Sequence, residues 1–407
     1  MTTATEWREY ELGELFNLSN GINADKSAYG RGTPFINVLE VITNESLNAS
    51  DIPGQVTLPK KVLARYQVKQ GDVLFNRTSE TQDEVGLTSV YVDYHPVVFG
   101  GFVFRGRPTT SLLDVNYSKY ALRAADVRHQ ITARGQGGIR ANIGQRDLKS
   151  VVVRMPGKPE QQAIAEVIDN ASDLIRVLER LIAKKQAIKQ GMMQQLLTGR
   201  TRLPGFSEKW SDSTLGAIAR ITGGGTPSTR VSSFWGGGVP WFTPAEIKAQ
   251  GSGLVSSSER TITQEGLASS AATLLPAGTV LVTSRASIGN CAVAAVPVST
   301  NQGFTSMVPK DSRSTWFLYY WIQQHRSELE SRAAGSTFLE ISASKVSAIS
   351  LRQPDLDEQA AIGTAIRDAD TELGALTDRL TKARAIKQGM MQQLLTGRVR
   401  LSVEVAS

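Results

Sequence analysis

The sequence predicts an α+β chain built by internal duplication: two globular domains, each followed by one long helix, the two helices pairing antiparallel as an intramolecular coiled coil about a pseudo-twofold axis. Three observations carry this expectation. Residues 187–203 read AIKQGMMQQLLTGRTRL and residues 385–401 read AIKQGMMQQLLTGRVRL, seventeen positions with one difference, Thr201 against Val399. The segments upstream of both copies carry the same spacing of apolar residues. Elsewhere, short β-type runs alternate with turn clusters, and each half contains an amphipathic helical stretch. An offset of 198 residues between the copies is far too long for a solenoid period, so the repeated unit is a whole domain with its helix.

The elements follow in order as residues 1–155 (first domain), 156–205 (first helix), 206–352 (second domain) and 353–407 (second helix). A chain of 407 residues exceeds the size at which one core stops growing, so more than one domain is required. Trp7, Leu12, Gly13, Pro34 and Glu40 of the first half correspond to Trp210, Leu215, Gly216, Pro240 and Glu246 of the second, at a slightly larger offset that surface-loop insertions explain. Gly137 and Ile143 map onto Gly335 and Ile341.

In the first helix the apolar positions Ile164, Ile168, Ala171, Ile175, Leu178 and Ile182 alternate by four and three, a coiled-coil seam; Ile362, Ile366, Ala369, Leu373, Leu376 and Leu380 repeat it. Past Ile182 a strict seam places Lys185 and Lys189 inside, so the stripe is expected to shift to Ile188, Met192 and Leu196 with a local change of winding. Each helix opens after a proline-containing segment (MPGKPE, QPDLDE) with acidic residues in its first turn and closes at the glycine of LLTGR. About 39 residues at 1.5 Å each give roughly 58 Å of helix. Such a helix needs a partner, and the matching seam in this chain is the other copy, which places the two domains at opposite ends of a rod.

Within the domains, YVDYHPVVFGGFVF and TVLVTSRASIGNCAVAAVPV read as strand-rich, YSKYALRAADVRHQITA and TWFLYYWIQQHRSELESRAA as amphipathic helix. The run GDVLFNR (Gly71 to Arg77) corresponds to GTVLVTSR (Gly278 to Arg285): a strand delivering an arginine at its end or into the following loop. An arginine fork can donate two hydrogen bonds to guanine O6 and N7. It serves equally as a phosphate contact or a surface ion pair. The loops ARGQGGIRANI, with Arg134 and Arg140, and AAGSTFLEI, where Phe338 stands for Arg140, are either a second contact surface or plain helix-to-strand connections. Lys26, Arg31, Arg230 and Ser284 complete the candidate DNA-contacting set. Trp235 and Trp241 read as core or loop anchors.

Net charge is +7 with a pI near 9.4, which favours a polyanionic partner without naming one. The single cysteine, Cys291, reads as a buried, inert thiol, and His95, His129 and His325 form no ligand cluster at metal spacing. No apolar run is long enough to cross a bilayer and the N-terminus resembles no signal peptide, so a cytoplasmic location without membrane contact is expected. The stretch GGGTPSTRVSSFWGGGVPW lacks the Gly-Lys-Ser/Thr ending of a phosphate loop, and nucleophile-elbow and amino-methyltransferase tetrapeptide motifs are also absent.

The strings PEQQAIA, KQGMMQQLLTG and RLPGF, set in the order domain, helix, domain, helix, closely resemble the specificity (S) subunits of type I restriction-modification enzymes over essentially the whole chain. That resemblance implies a non-catalytic, double-stranded-DNA-binding subunit whose two target-recognition domains read the halves of an asymmetric bipartite site across an unspecified spacer. It also implies two modification subunits bound to the helices, and restriction subunits that join them. S-adenosylmethionine, ATP and magnesium then belong to those partners, with no cofactor in this chain. Met192, Met193, Leu196 and Leu197, repeated as Met390, Met391, Leu394 and Leu395, form an apolar stripe wider than one seam needs. Either one edge of the stripe packs on the partner helix and the other recruits the partners, with two equal surfaces for two equal subunits, or the whole stripe lies in an intramolecular core. The competing expectation is a non-catalytic coiled-coil scaffold whose end domains bind proteins.

Overall fold

The computed structural model describes residues 6–137, 140–247, 253–285, 287–334 and 339–402. Gly335 and Phe338 lie outside the described residues. The chain divides into two compact units, one of residues 1–177 with 380–407, the other of residues 178–379. Each unit therefore combines one domain with part of each long helix.

In the first unit the chain start closes against the end of its own domain, Arg8–Glu11 pairing antiparallel with Val152–Met155. A five-stranded sheet follows in the spatial order Phe16–Asn20, Val103–Pro108, Val73–Asn76, Thr88–Tyr91, Ser46–Leu47, antiparallel except for the last pair. A three-stranded sheet sets Tyr29–Ile36 between Gln55–Val56 and Val98–Phe99. The second unit repeats both orders: Ala219–Gly223, Thr305–Pro309, Val280–Val282, Cys291–Ala294, Leu254–Val255, and then Trp235–Phe242 between Arg260–Ile262 and Ser299–Thr300.

The central strands show why. VLF and VLV are continuous apolar runs, suited to a strand covered on both faces. Because successive side chains alternate, Val73 and Phe75 enter one core with Tyr117, Tyr120 and Ile164, while Leu74 enters a second with Tyr91, Phe99 and Val103. Val280 and Val282 part from Leu281 in the same way. Each expected amphipathic stretch forms two helices instead of one: Val115–Ala121 with Ala125–Arg134, and Thr315–Gln324 with Arg326–Arg332. At the first break Arg123 turns inward and its guanidinium donates to the carbonyls of Thr88, Val41 and Asn44.

The long helices span Lys158–Leu196 and Leu356–Leu394, 39 residues each. Both units show them antiparallel. In the first, Glu160 at the start of one helix accepts two hydrogen bonds from Arg400, just past the end of the other, each 2.7 Å, and Leu394 and Leu395 share a core with Ile164 and Trp7. In the second, Glu358 accepts from Arg202 at 2.6 and 2.5 Å and from the Trp210 indole at 3.2 Å, while Leu196 and Leu197 pack with Ile362 and Ile366. Both arginines are held above the usual guanidinium pKa, first of all by the hydrogen bond to the glutamate. Each buried aliphatic side chain at these junctions contributes about 1.5–3 kcal/mol.

The expected shift of the seam past Ile182 does not occur. The first long helix runs unbroken, Ile188 is 46% exposed, and Lys185 and Lys189 stay on the inward side, paired with Glu372 and Asp370. The reason is physical: a lysine stem can lie along an apolar seam while its ammonium meets a carboxylate, so the stripe need not rotate to avoid it. In the second copy Lys387 pairs likewise with Glu45, and Ile386 is 58% exposed.

Candidate nucleic-acid interface

In the first domain the buried strand Val73–Asn76 ends at Arg77, whose side chain is exposed. Its backbone is clamped on both sides: the Arg77 amide donates to the Phe102 carbonyl at 2.8 Å, and its carbonyl accepts from the Ile143 amide at 3.1 Å. The guanidinium donates to the Gly101 carbonyl at 3.4 Å and lies 5.4 Å from the Phe104 ring centroid. Thr78–Ser79 then pairs with Ala141–Asn142, and Thr78 Oγ1 donates to Asn142 Oδ1 at 2.6 Å, which draws the loop carrying Arg140 beside Arg77. Arg140 is exposed. Arg134 spends one guanidinium nitrogen on the Gln130 carbonyl, closing its own helix at 2.9 Å. Lys26 and Arg31 are exposed on either side of Tyr29, which faces the Gly100–Phe102 turn that Arg77 touches. The strand pairing thus brings the Arg140 loop to Arg77, while Lys26 and Arg31 flank Tyr29 in the chain.

Other basic residues of this domain are committed inward. The Arg128 guanidinium donates to the carbonyls of Asp83 and Val85, and burial brings it down to about 10, so it still carries its charge at neutral pH. Arg107 grips Asp72 through two hydrogen bonds. Sequence alone gave no means of separating these from the exposed set.

The second domain corrects the expected match between Arg77 and Arg285. Ser284 donates its amide to Gly303 and accepts from Ile341, the backbone bonds that Arg77 makes to Phe102 and Ile143; Arg285 bridges Glu340 as Thr78 does Asn142. GTVLVTSR is one residue longer than GDVLFNR, and since strand side chains alternate faces, one residue decides which face is reached. Ser284 is 1% exposed and its hydroxyl has no partner among the described residues, so it cannot meet DNA from this position. Arg285 is half-buried beside Gly303, and Arg230 is exposed within the glycine-rich stretch.

That stretch is held by indoles rather than built around an anion. Trp235 Nε1 donates to the Ser228 carbonyl at 3.1 Å and Trp241 Nε1 to Gly225 at 2.9 Å. A Cβ on Gly225 would lie 2.3 Å from the Ala271 backbone, so glycine is needed there for close packing. Sequence reasoning passed over Arg260, whose guanidinium stacks 3.5 Å from the Trp235 ring centroid. A cation–aromatic pair across strands has no short-range signature.

The eight methionines and leucines of the apolar stripe all pack in or against their own unit's core. Met193, Leu196, Leu197, Leu394 and Leu395 are buried, and Met192, Met390 and Met391 are half-buried. Most of the stripe is therefore consumed within the chain. What remains exposed on each copy is Ile188, with half-buried Gly191 and Met192 beside it, repeated as Ile386 with Gly389 and Met390. Among the described residues no helix is long and apolar enough to cross a membrane and no group of three His, Cys, Asp or Glu could hold a metal ion. Cys291 is buried, and its thiol is pushed up to about 12 by desolvation.

Two domains of one sheet order, each feeding a long helix whose end docks on the start of the other, define a duplicated domain-and-helix protein with unlike basic surfaces on the two domains. The chain belongs to the family described as the type I restriction modification DNA specificity domain, matched over residues 4–189 and 207–383. It is 36% identical over 159 residues to the MjaIX specificity subunit of Methanocaldococcus jannaschii, covering 39% of this chain and 37% of that subunit. Against the EcoR124I/EcoR124II specificity subunit of Escherichia coli it is 28% identical over 253 residues, 59% of this chain and 60% of the relative. The crystal structure of the type I restriction-modification S subunit from M. genitalium shares the fold with a TM-score of 0.60 and 16% identity, over 96% of each chain.

Proposed function

We propose that each domain reads one half of an asymmetric, bipartite DNA target, and that the paired helices recruit two copies of a modification subunit. The carrying observation is a contrast within the duplication. The helix ends differ at one position in seventeen, whereas equivalent sites on the domains carry different chemistry: Arg77 against Ser284, Thr78 against Arg285, Tyr29 and Phe35 against Trp235 and Trp241. Two equal partners need two equal surfaces, and an asymmetric sequence needs two unlike ones. Supporting the recruitment is the repeated set Ile188, Gly191, Met192 and Ile386, Gly389, Met390. A Cβ on Gly191 or Gly389 would meet nothing within 4 Å, so these glycines cost each helix about 0.5–1 kcal/mol with no packing return inside the chain. A partner helix approaching closely at that point would supply the return.

In this reading the chain does no chemistry. S-adenosylmethionine, ATP and magnesium serve the modification and restriction subunits, and the chain works in the cytoplasm beside its DNA. The test is to purify the chain with its modification subunits, identify the methylated sequence from the host methylome, and footprint that duplex while raising salt. Protection of two separated half-sites, weakening steeply with salt as counterions are released, supports the reading. A single continuous footprint, or methyl transfer by the chain alone, overturns it.

A further inference from the structure

In the first domain a cleft of about 210 Å³ opens between the strand Tyr29–Ile36 and the Gly100–Phe102 turn. We propose that this cleft takes one base unstacked from the target duplex, gripped by aromatic rings and read by amides; the proposal rests on the DNA-reading function above. Its size points to a single heterocycle: it far exceeds the ~10–15 Å³ that one water needs and falls short of the ~300 Å³ at which drug-sized pockets begin.

The lining has the chemistry that unstacked bases use, namely rings for stacking and side-chain amides for the base edge. Tyr29 and Phe35 stand edge to face with centroids 5.2 Å apart, and Phe102, at the turn, is 57% exposed. Asn23 lines the cleft as an exposed residue, and an asparagine offers both a donor and an acceptor to a base edge. A Cβ on Gly101 would come 2.0 Å from Asn23 Oδ1 and would push that amide aside. Arg77 donates to the Gly101 carbonyl on the same turn, leaving a cation beside the mouth for the strand that would carry the base.

In the second domain the ring equivalent to Tyr29 already carries a planar group. Strand pairing equates Trp235 with Tyr29 and Ile262 with Val56, and hence Arg260 with Gly54. Arg260 lays its planar guanidinium on Trp235, next to the edge-on Trp235–Trp241 pair at 5.1 Å. In the first domain Gly54 offers no side chain, and among the described residues no cation stacks on Tyr29. Extrusion is therefore expected at the half-site read by the first domain only.

The test uses the chain assembled with its modification subunits and the cognate duplex identified as above. Each position of the first half-site is mismatched in turn by changing one strand only, which removes the pairing that extrusion must break. Wild-type complex should bind one such duplex about tenfold more tightly than the matched one, with 2-aminopurine at that position reporting loss of stacking. The gain should vanish in Phe102→Ala, which removes a wall, and in Val38→Phe, which fills the cleft, while both variants discriminate at the second half-site as the parent does. Sequence-specific binding with no mismatch that tightens it, or a gain that persists in both variants, overturns the cleft proposal and leaves the DNA-reading function standing. Failure of the complex to prefer any duplex overturns both.

Discussion

Replacing Gly199 or Gly397 by alanine tests the junction that ties each long helix to the start of the other. Both glycines sit in the left-handed region, φ +68° and +71°, as the last turn of LLTGR closes. A residue with a Cβ pays about 1–2 kcal/mol there. The new methyl of Gly199→Ala would lie 3.1–3.3 Å from three ring carbons of Trp210, and that of Gly397→Ala 3.0–3.3 Å from three of Trp7. Neither indole can easily retreat: both are buried, and Trp210 is held by Glu358 and flanked by Arg202. Crowding a fixed ring adds about 1–3 kcal/mol, so each substitution should cost about 2–5 kcal/mol in all. The matched controls are Gly191→Ala and Gly389→Ala in open helix, which should instead stabilise by about 0.5–1 kcal/mol. Urea unfolding of the isolated chain measures all four, and hydrogen exchange over residues 158–177 and 178–196 assigns each loss to its unit. If the crowded variants fall within about 0.5 kcal/mol of the parent, the range of an inert surface change, the junction argument is refuted. It is refuted equally if the open-helix variants destabilise as much as the crowded ones.

Other consequences can be checked separately. Arg77→Ala should weaken DNA binding through the first half-site and Arg285→Ala through the second, by about 1–3 kcal/mol where a base edge is lost; equal losses on every sequence would mark a phosphate contact. Ser284→Ala should leave DNA binding unchanged, and a loss there would contradict its burial. Ile188→Glu and Ile386→Glu should each reduce the complex from two modification subunits to one by native mass spectrometry, and two retained subunits in both variants would remove the recruitment surface. Desolvation raises the Cys291 thiol from 9.0 to about 12, so the folded chain keeps a proton that the unfolded chain releases in that range. Stability is then fully present below pH 9 and falls as pH rises toward 12, and Cys291→Ala should flatten that fall in urea titrations at alkaline pH.

Several features were readable one residue at a time. The repeat exposed the duplication, the three-four spacing through Ile182 exposed the seam, and the glycine of LLTGR marked where each helix closes, because local periodicity and backbone freedom are properties of neighbouring residues. Other features were not. Lys189 looked like an intruder in the seam until Asp370 met it, and Ile188 looked like core until nothing covered it. Arg123, Arg128 and Arg77 are alike in sequence and each donates to a carbonyl of its own domain, yet two are drawn inward and Arg77 stays exposed.

By itself, then, the sequence determined that this chain is two copies of a domain and a helix, and which stretches fold as which. Only the tertiary structure decided which charges are spent inside, that Ser284 rather than Arg285 takes Arg77's backbone position, and that Tyr29 lines an open cleft while its counterpart Trp235 carries a stacked arginine. The reason is that a side chain's fate is set by whatever distant segment packs against it, and that an arginine standing one residue later on the same strand frame leaves from the opposite face.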